Sequence, residues 1–120
     1  MVGVKADSGP YVVLKSSGSF GLNVLGKQQQ GLAFAFFKPA EKGDGTISGE
    51  PYRSGSLGVP ILENAIGCLE CKVLEIVERG DHHIVVGEVV EAHVSRSVEG
   101  RPDLATLHMA DLGDNVFYGG

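Results

Sequence analysis

Apolar and polar positions alternate most regularly in the second half of the chain. Between Ala65 and Glu78, Leu69, Cys71 and Val73 share one face, and Glu70 and Lys72 take the other. The apolar phase then moves to Leu74 and Ile76, which predicts a β-bulge near Val73. Arg79-Gly80-Asp81 is a turn, and Ile84 to Val94 returns as the hairpin partner. Ile84, Val86, Val90, Ala92 and Val94 line one face of that strand, interrupted by Glu88, while Val85 and Val89 line the other. A strand apolar on both faces is expected to be covered on both, as in a barrel packed against something else.

The first half is less regular. Val2 to Lys5 and Tyr11 to Leu14 read as two short strands split by the turn-rich Ala6-Asp7-Ser8-Gly9-Pro10. Ser16 to Ser19 reads as a polar loop, and Phe20 to Leu25 as a strand with Phe20, Leu22 and Val24 on one face. Lys27 to Phe37 is the one predicted helix, closed by Pro39, with Phe34, Phe36 and Phe37 as its anchors. Glu41 to Gly58 is glycine-rich and polar and reads as a long loop. Arg96 to Asp111 is irregular, and Asn115 to Gly120 is expected as a short terminal strand. These elements predict one mainly β domain spanning residues 1–120, a Greek-key or split β-barrel with one inserted helix.

Composition narrows the function classes. With 120 residues the chain is large enough for one core without disulfide or metal support. A formal net charge of −5 and ten scattered Lys and Arg residues offer no basic face for a nucleic-acid backbone. No run of about 18 apolar residues exists to cross a membrane as a helix. The N-terminal Met1-Val2-Gly3-Val4-Lys5 lacks the apolar core of a signal peptide, which predicts a cytoplasmic protein. Cys68 and Cys71 have CxxC spacing, but no second ligand pair accompanies them, so they are read as buried, reduced thiols. The four histidines (His82, His83, His93 and His108) do not form a ligand set on one strand face, and no metal site is expected. No nucleophile-elbow motif supports a hydrolase.

The turn Gly80-Asp81-His82 is the strongest candidate site, because it fixes a titratable side chain at the mouth of a rigid β-element. Its context resembles a family. Phe20-x-Leu22-Asn23-Val24-Leu25 precedes the Phe-rich segment ending Phe36-Phe37-Lys38-Pro39. Gly58-Val59-Pro60-Ile61-Leu62 and Leu69-Glu70-Cys71-Lys72-Val73 follow. Gly80-Asp81-His82-x-Ile84-x-x-Gly87-Glu88-Val89 and Phe117-Tyr118 complete the order. Over nearly its whole length the chain resembles the flavin reductase-like FMN-binding split barrels. It is similar to the domain fused to cyanobacterial flavodiiron proteins, and to flavoredoxins. Members of that family begin about two strands earlier, so the chain is expected to lack the family's first strands.

The resemblance implies a homodimer that binds FMN, with FAD as the other flavin, and passes a hydride to it from NAD(P)H. The chemistry belongs to the cofactor, and the protein orients and tunes it. His82 matches the family's turn histidine, lying against the flavin or the nicotinamide, and is the candidate catalytic residue. Asp81 accompanies it. Ser16, Ser17 and Ser19 offer hydroxyl and backbone N–H donors to a phosphate, as a small anion-binding loop would, although a solvated loop explains them better. Asn23 and Lys38 are further flavin-side candidates. The first is equally an asparagine bonding loop backbone, and the second a lysine suited to a helix C-terminus. Phe117 and Tyr118 pack either on the flavin or on the barrel end. The competing reading is a split-barrel dimer without turnover, serving as an electron-transfer or interaction module.

Overall fold

The computed structural model describes residues 1–118. Seven strands run as β1 (Val2–Lys5), β2 (Ser19–Val24), β3 (Thr46–Ile47), β4 (Glu50–Ser54), β5 (Pro60–Leu62), β6 (Gly67–Val77) and β7 (His82–Val94). Helices α1 (Gly9–Ser17), α2 (Gln30–Ala35) and α3 (Pro102–Ala105) and a 3₁₀ turn over Met109–Leu112 complete the order. One antiparallel sheet has the order β1-β7-β6-β2, and a smaller one has the order β3-β4-β5. The architecture is the mainly β one expected, with β6 and β7 as its long central hairpin. Register shifts between Glu70 and Cys71 and between Val73 and Glu75 twist that hairpin, the second lying where the apolar phase changes.

The first half departs from the sequence pattern. Residues 11–14 are helical, not a strand, and belong to α1. Ser8 caps it by accepting the Tyr11 N–H at 3.3 Å, Pro10 sits in its first turn, and Gly18 ends it at φ 70° with its N–H on the Leu14 carbonyl. The β-branched Val12 and Val13 point to solvent, while Tyr11 and Leu14, one turn apart, are buried. The predicted helix over 27–37 is shortened to α2. Residues 26–29 form a turn instead, with the Gln29 side chain accepting the Gly26 N–H at 2.7 Å and donating to the Asn64 carbonyl at 2.6 Å. The expected loop over 41–58 contains the β3–β4 hairpin, closed by Ser48 at φ 50° and Gly49 at φ 79°. Residues 115–118 form no strand; the remainder of that expected element, Gly119 and Gly120, lies outside the described residues.

Leu32 of α2, Leu62 of β5 and Ala65 form one core cluster, joined by Leu25, Phe36, Ile47 and Tyr52. Phe36 therefore anchors α2 as expected, but Phe34 and Phe37 turn outward and pair edge-on at 5.3 Å. Ile61 and Val85 are completely enclosed. β7 is not covered on both faces within the chain: Ile84, Val89, Val90 and Val94 are exposed.

Candidate functional site

The turn joining β6 to β7 holds its histidine through local backbone geometry. Gly80 adopts φ 72°, a conformation that costs a glycine nothing, and the Ala6 N–H donates to the Asp81 carbonyl at 2.9 Å. His82 then opens β7 directly opposite Lys5 of β1. Its Nδ1 lies 3.1 Å from Asp81 Oδ1, and its Nε2 shares a hydrogen bond with the Tyr118 hydroxyl. The His82 and Tyr118 rings meet edge-on with centroids 5.7 Å apart. The imidazole holds the Asp81 carboxyl below the usual carboxylate range by hydrogen bonding and charge. The histidine ring is three-quarters enclosed, whereas Phe117 and Tyr118 are largely exposed. The cluster thus gathers Asp81, His82 and Tyr118 of the candidate residues at one end of the sheet, with Phe117 beside them in sequence.

The remaining candidates lie elsewhere. Ser17 and Ser19 satisfy each other: the Ser17 hydroxyl donates to the Ser19 carbonyl at 2.9 Å and accepts the Ser19 N–H at 3.3 Å. Asn23 donates to the Pro60 carbonyl at 3.1 Å and accepts the Leu62 N–H at 2.9 Å, which ties β2 to β5. It borders an open groove of about 370 Å³ whose other walls include Leu22, Leu25, Phe36, Ile47 and Leu62. Lys38 is exposed, three residues beyond α2. Asn23 pairs with Cys68 at the start of β6, and His82 begins the strand that leaves the far end of β6. The groove and the histidine therefore sit at opposite ends of the β6–β7 hairpin.

Two further polar clusters were not legible as such. On the other face of β7 from His82, His83 Nδ1 lies 2.6 Å from the Tyr11 hydroxyl, and the same hydroxyl lies 3.3 Å from Glu78. Lys15 pairs with Glu78 and holds that carboxyl below its ordinary range. Tyr11 could be placed here only once residues 9–17 were known to be helical.

The second cluster joins β6 and β7 beneath the loop after β4. Glu70 is completely buried, and a carboxylate there needs partners. The Leu57 N–H donates to Glu70 Oε1 at 3.0 Å, and His93 Nε2 lies 2.6 Å from Oε2. The Leu57 amide first, then His93, hold the Glu70 carboxyl down at about 2. Ser56 contacts both Glu70 and Glu91, and a Cβ at Gly55 would stand 2.1 Å from Glu70 Oε1, so the loop closes over the carboxylate only with glycine there.

Among the described residues no helix is long and apolar enough to cross a membrane. Residues 1–111 match the model of the flavin reductase like domain. A flavin reductase of Pseudomonas putida is 37% identical over 81 residues, which make up 68% of this chain and 46% of that protein. Among solved structures, the NADH:FAD oxidoreductase of Streptomyces globisporus superposes with a TM-score of 0.65 at 28% identity, covering 78% of this chain and 56% of that one. An FMN-binding protein of Thermus thermophilus gives a TM-score of 0.65 at 27% identity over 78% of this chain and 52% of its own. The chain spans about half the length of the relatives it matches. With the family model matching nearly all of it, the chain belongs to the flavin reductase-like domain family.

Proposed function

We propose that this chain is the flavin-binding part of an NAD(P)H-dependent flavin oxidoreductase, with FMN as its first flavin and FAD as the second. The observation that carries the reading is the grouping of Asp81, His82 and Tyr118 at the mouth of β7, on a chain of this family. The residues present fit one side of such a cofactor. An enclosed imidazole beside exposed Phe117 and Tyr118 offers aromatic surface and ring-nitrogen hydrogen bonding to a planar heteroaromatic group. Lys5, across from His82 on β1, adds a cation within the same patch for a phosphate-bearing ligand.

When bound, the flavin supplies the ring that accepts a hydride from reduced nicotinamide. His82 orients that ring and holds a proton at Nδ1 against Asp81. The Tyr118 hydroxyl covers Nε2 until a ligand takes its place. Asn23 fixes β2 to β5 at the other end of the hairpin, and Ser17, Ser19 and Lys38 contact the phosphate end only if further chain or a second copy completes the pocket.

The apolar residues left exposed along β7, namely Ile84, Val89, Val90 and Val94, support assembly as a homodimer through that strand. Two free, buried cysteines suit work in the reducing cytoplasm. Titrating the protein with FMN tests the reading. Quenching of flavin fluorescence, then bleaching of the bound flavin by NADH or NADPH, is expected. No quenching with either flavin overturns it, and quenching without bleaching reduces the chain to a flavin-binding module. Light scattering on the eluting protein gives twice the chain mass if the dimer forms.

A further inference from the structure

We propose that Glu70, Glu91 and His93 form a binding site for one divalent transition-metal ion of the zinc class, at the end of β7 remote from His82. One donor atom from each of the three side chains lies within 4.8 Å of the others. Glu70 Oε2 and His93 Nε2 are 2.6 Å apart, and His93 Nε2 and Glu91 Oε1 are 3.9 Å apart. Donor atoms around a tetrahedral zinc ion are separated by roughly 3.4 Å, given bonds of about 2.1 Å, so modest side-chain adjustment reaches that spacing. The Ser56 hydroxyl, 3.3 Å from Glu70 Oε2 and bonded to Glu91, closes the fourth side.

The strand register supplies an independent reason for a cation. Glu70 and Glu91 are direct cross-strand partners, and like charges placed directly opposite one another oppose sheet pairing. One of the two is also completely buried. A divalent ion at this point compensates both carboxylates at once. An imidazole with two carboxylates is a donor set suited to zinc and neighbouring first-row ions, and distinct from the all-oxygen sets preferred by magnesium or calcium. His93 ligates as the neutral ring through Nε2. Sequence spacing concealed the group. It comes from two strands and only one of its members is a histidine, so a search for clustered histidines passes over it.

The experiment is calorimetric titration of chelator-treated full chain with zinc chloride near pH 7. One equivalent bound, with a rise in melting temperature, is expected. Glu91→Gln, at a half-exposed position, and His93→Gln each weaken binding by about tenfold or more. His82→Gln and His108→Gln leave it unchanged. Absence of binding by the wild-type chain overturns the proposal. So does binding that survives Glu91→Gln, provided circular dichroism shows that variant to be folded. Binding lost only in His82→Gln would place the metal at the other end of the strand and overturn it equally. None of these readouts involves flavin, so the metal site stands or falls apart from the proposed activity.

Discussion

Tyr118 places its hydroxyl on Nε2 of His82, with the two rings edge-on. Because the Asp81 carboxylate at Nδ1 only accepts, the neutral imidazole carries its proton on Nδ1 and accepts the Tyr118 hydroxyl at Nε2. Long-range proton–nitrogen spectra are therefore expected to show the Nδ1–H tautomer for His82. Tyr118→Phe removes the partner at Nε2 and moves that nitrogen's shift while leaving the fold intact. His82→Ala is expected to weaken FMN binding or the rate of flavin reduction by roughly tenfold, the worth of one or two hydrogen bonds. Unchanged values for both would reduce His82 to a turn residue.

Glu70 should make the stability of the chain acid-sensitive. Its carboxyl is held at about 2 in the folded chain, against an ordinary value of 4.5. A lowered folded value means that the stabilisation is complete above the ordinary value and is lost as pH falls from about 5 toward 2. Melting temperatures measured across that window should fall steeply for the wild-type chain. Glu70→Gln should start lower and flatten the profile, since it cannot titrate. A parallel profile for the two proteins would show that the buried carboxylate does not drive acid sensitivity.

How much of this was legible beforehand depended on where the information resides. The β6–β7 hairpin, its bulge and the Gly80 turn are local features, written as alternation, phase shift and glycine, and they came through. Helix α1 did not, because Val12 and Val13 suggest a strand while the deciding signals lie at its ends, in Ser8, Pro10 and Gly18. The β3–β4 hairpin was hidden for a similar reason: two short strands leave no periodicity, and only the Ser48-Gly49 pair marks their turn. Resemblance named His82 and Tyr118 as separate candidates, but their contact, 36 residues apart along the chain, needs the folded chain. The meeting of Glu70 with His93 needs the register of two strands, and no spacing along one chain reveals that.

The thiols should be quiet. Burial pushes both Cys68 and Cys71 above the ordinary thiol value, and for Cys68 the charge of Glu70 adds to the effect. Since the thiolate is the reactive form, a disulfide reagent such as 5,5′-dithiobis(2-nitrobenzoate) should modify native protein slowly and two thiols rapidly on unfolding. Fast reaction of either cysteine in the folded chain would contradict the enclosed positions.

Gly87, in the strand that carries His82, is a packing position. A Cβ there would lie 2.9 Å from two ring carbons of Phe20 and 3.2 Å from Cys71 Cβ, with the Gly87 backbone held opposite Val73 of β6. The ring cannot retreat without disturbing the β2–β6 pairing, in which Phe20 is opposite Cys71. Gly87→Ala is therefore expected to destabilise the chain by about 1–3 kcal/mol, the usual cost of overpacking. Denaturant unfolding gives the value, and the double variant Gly87→Ala with Phe20→Leu separates the causes. If the clash with the ring is responsible, shortening Phe20 recovers part of the loss. If the two substitutions simply add, the cost lies in the strand backbone.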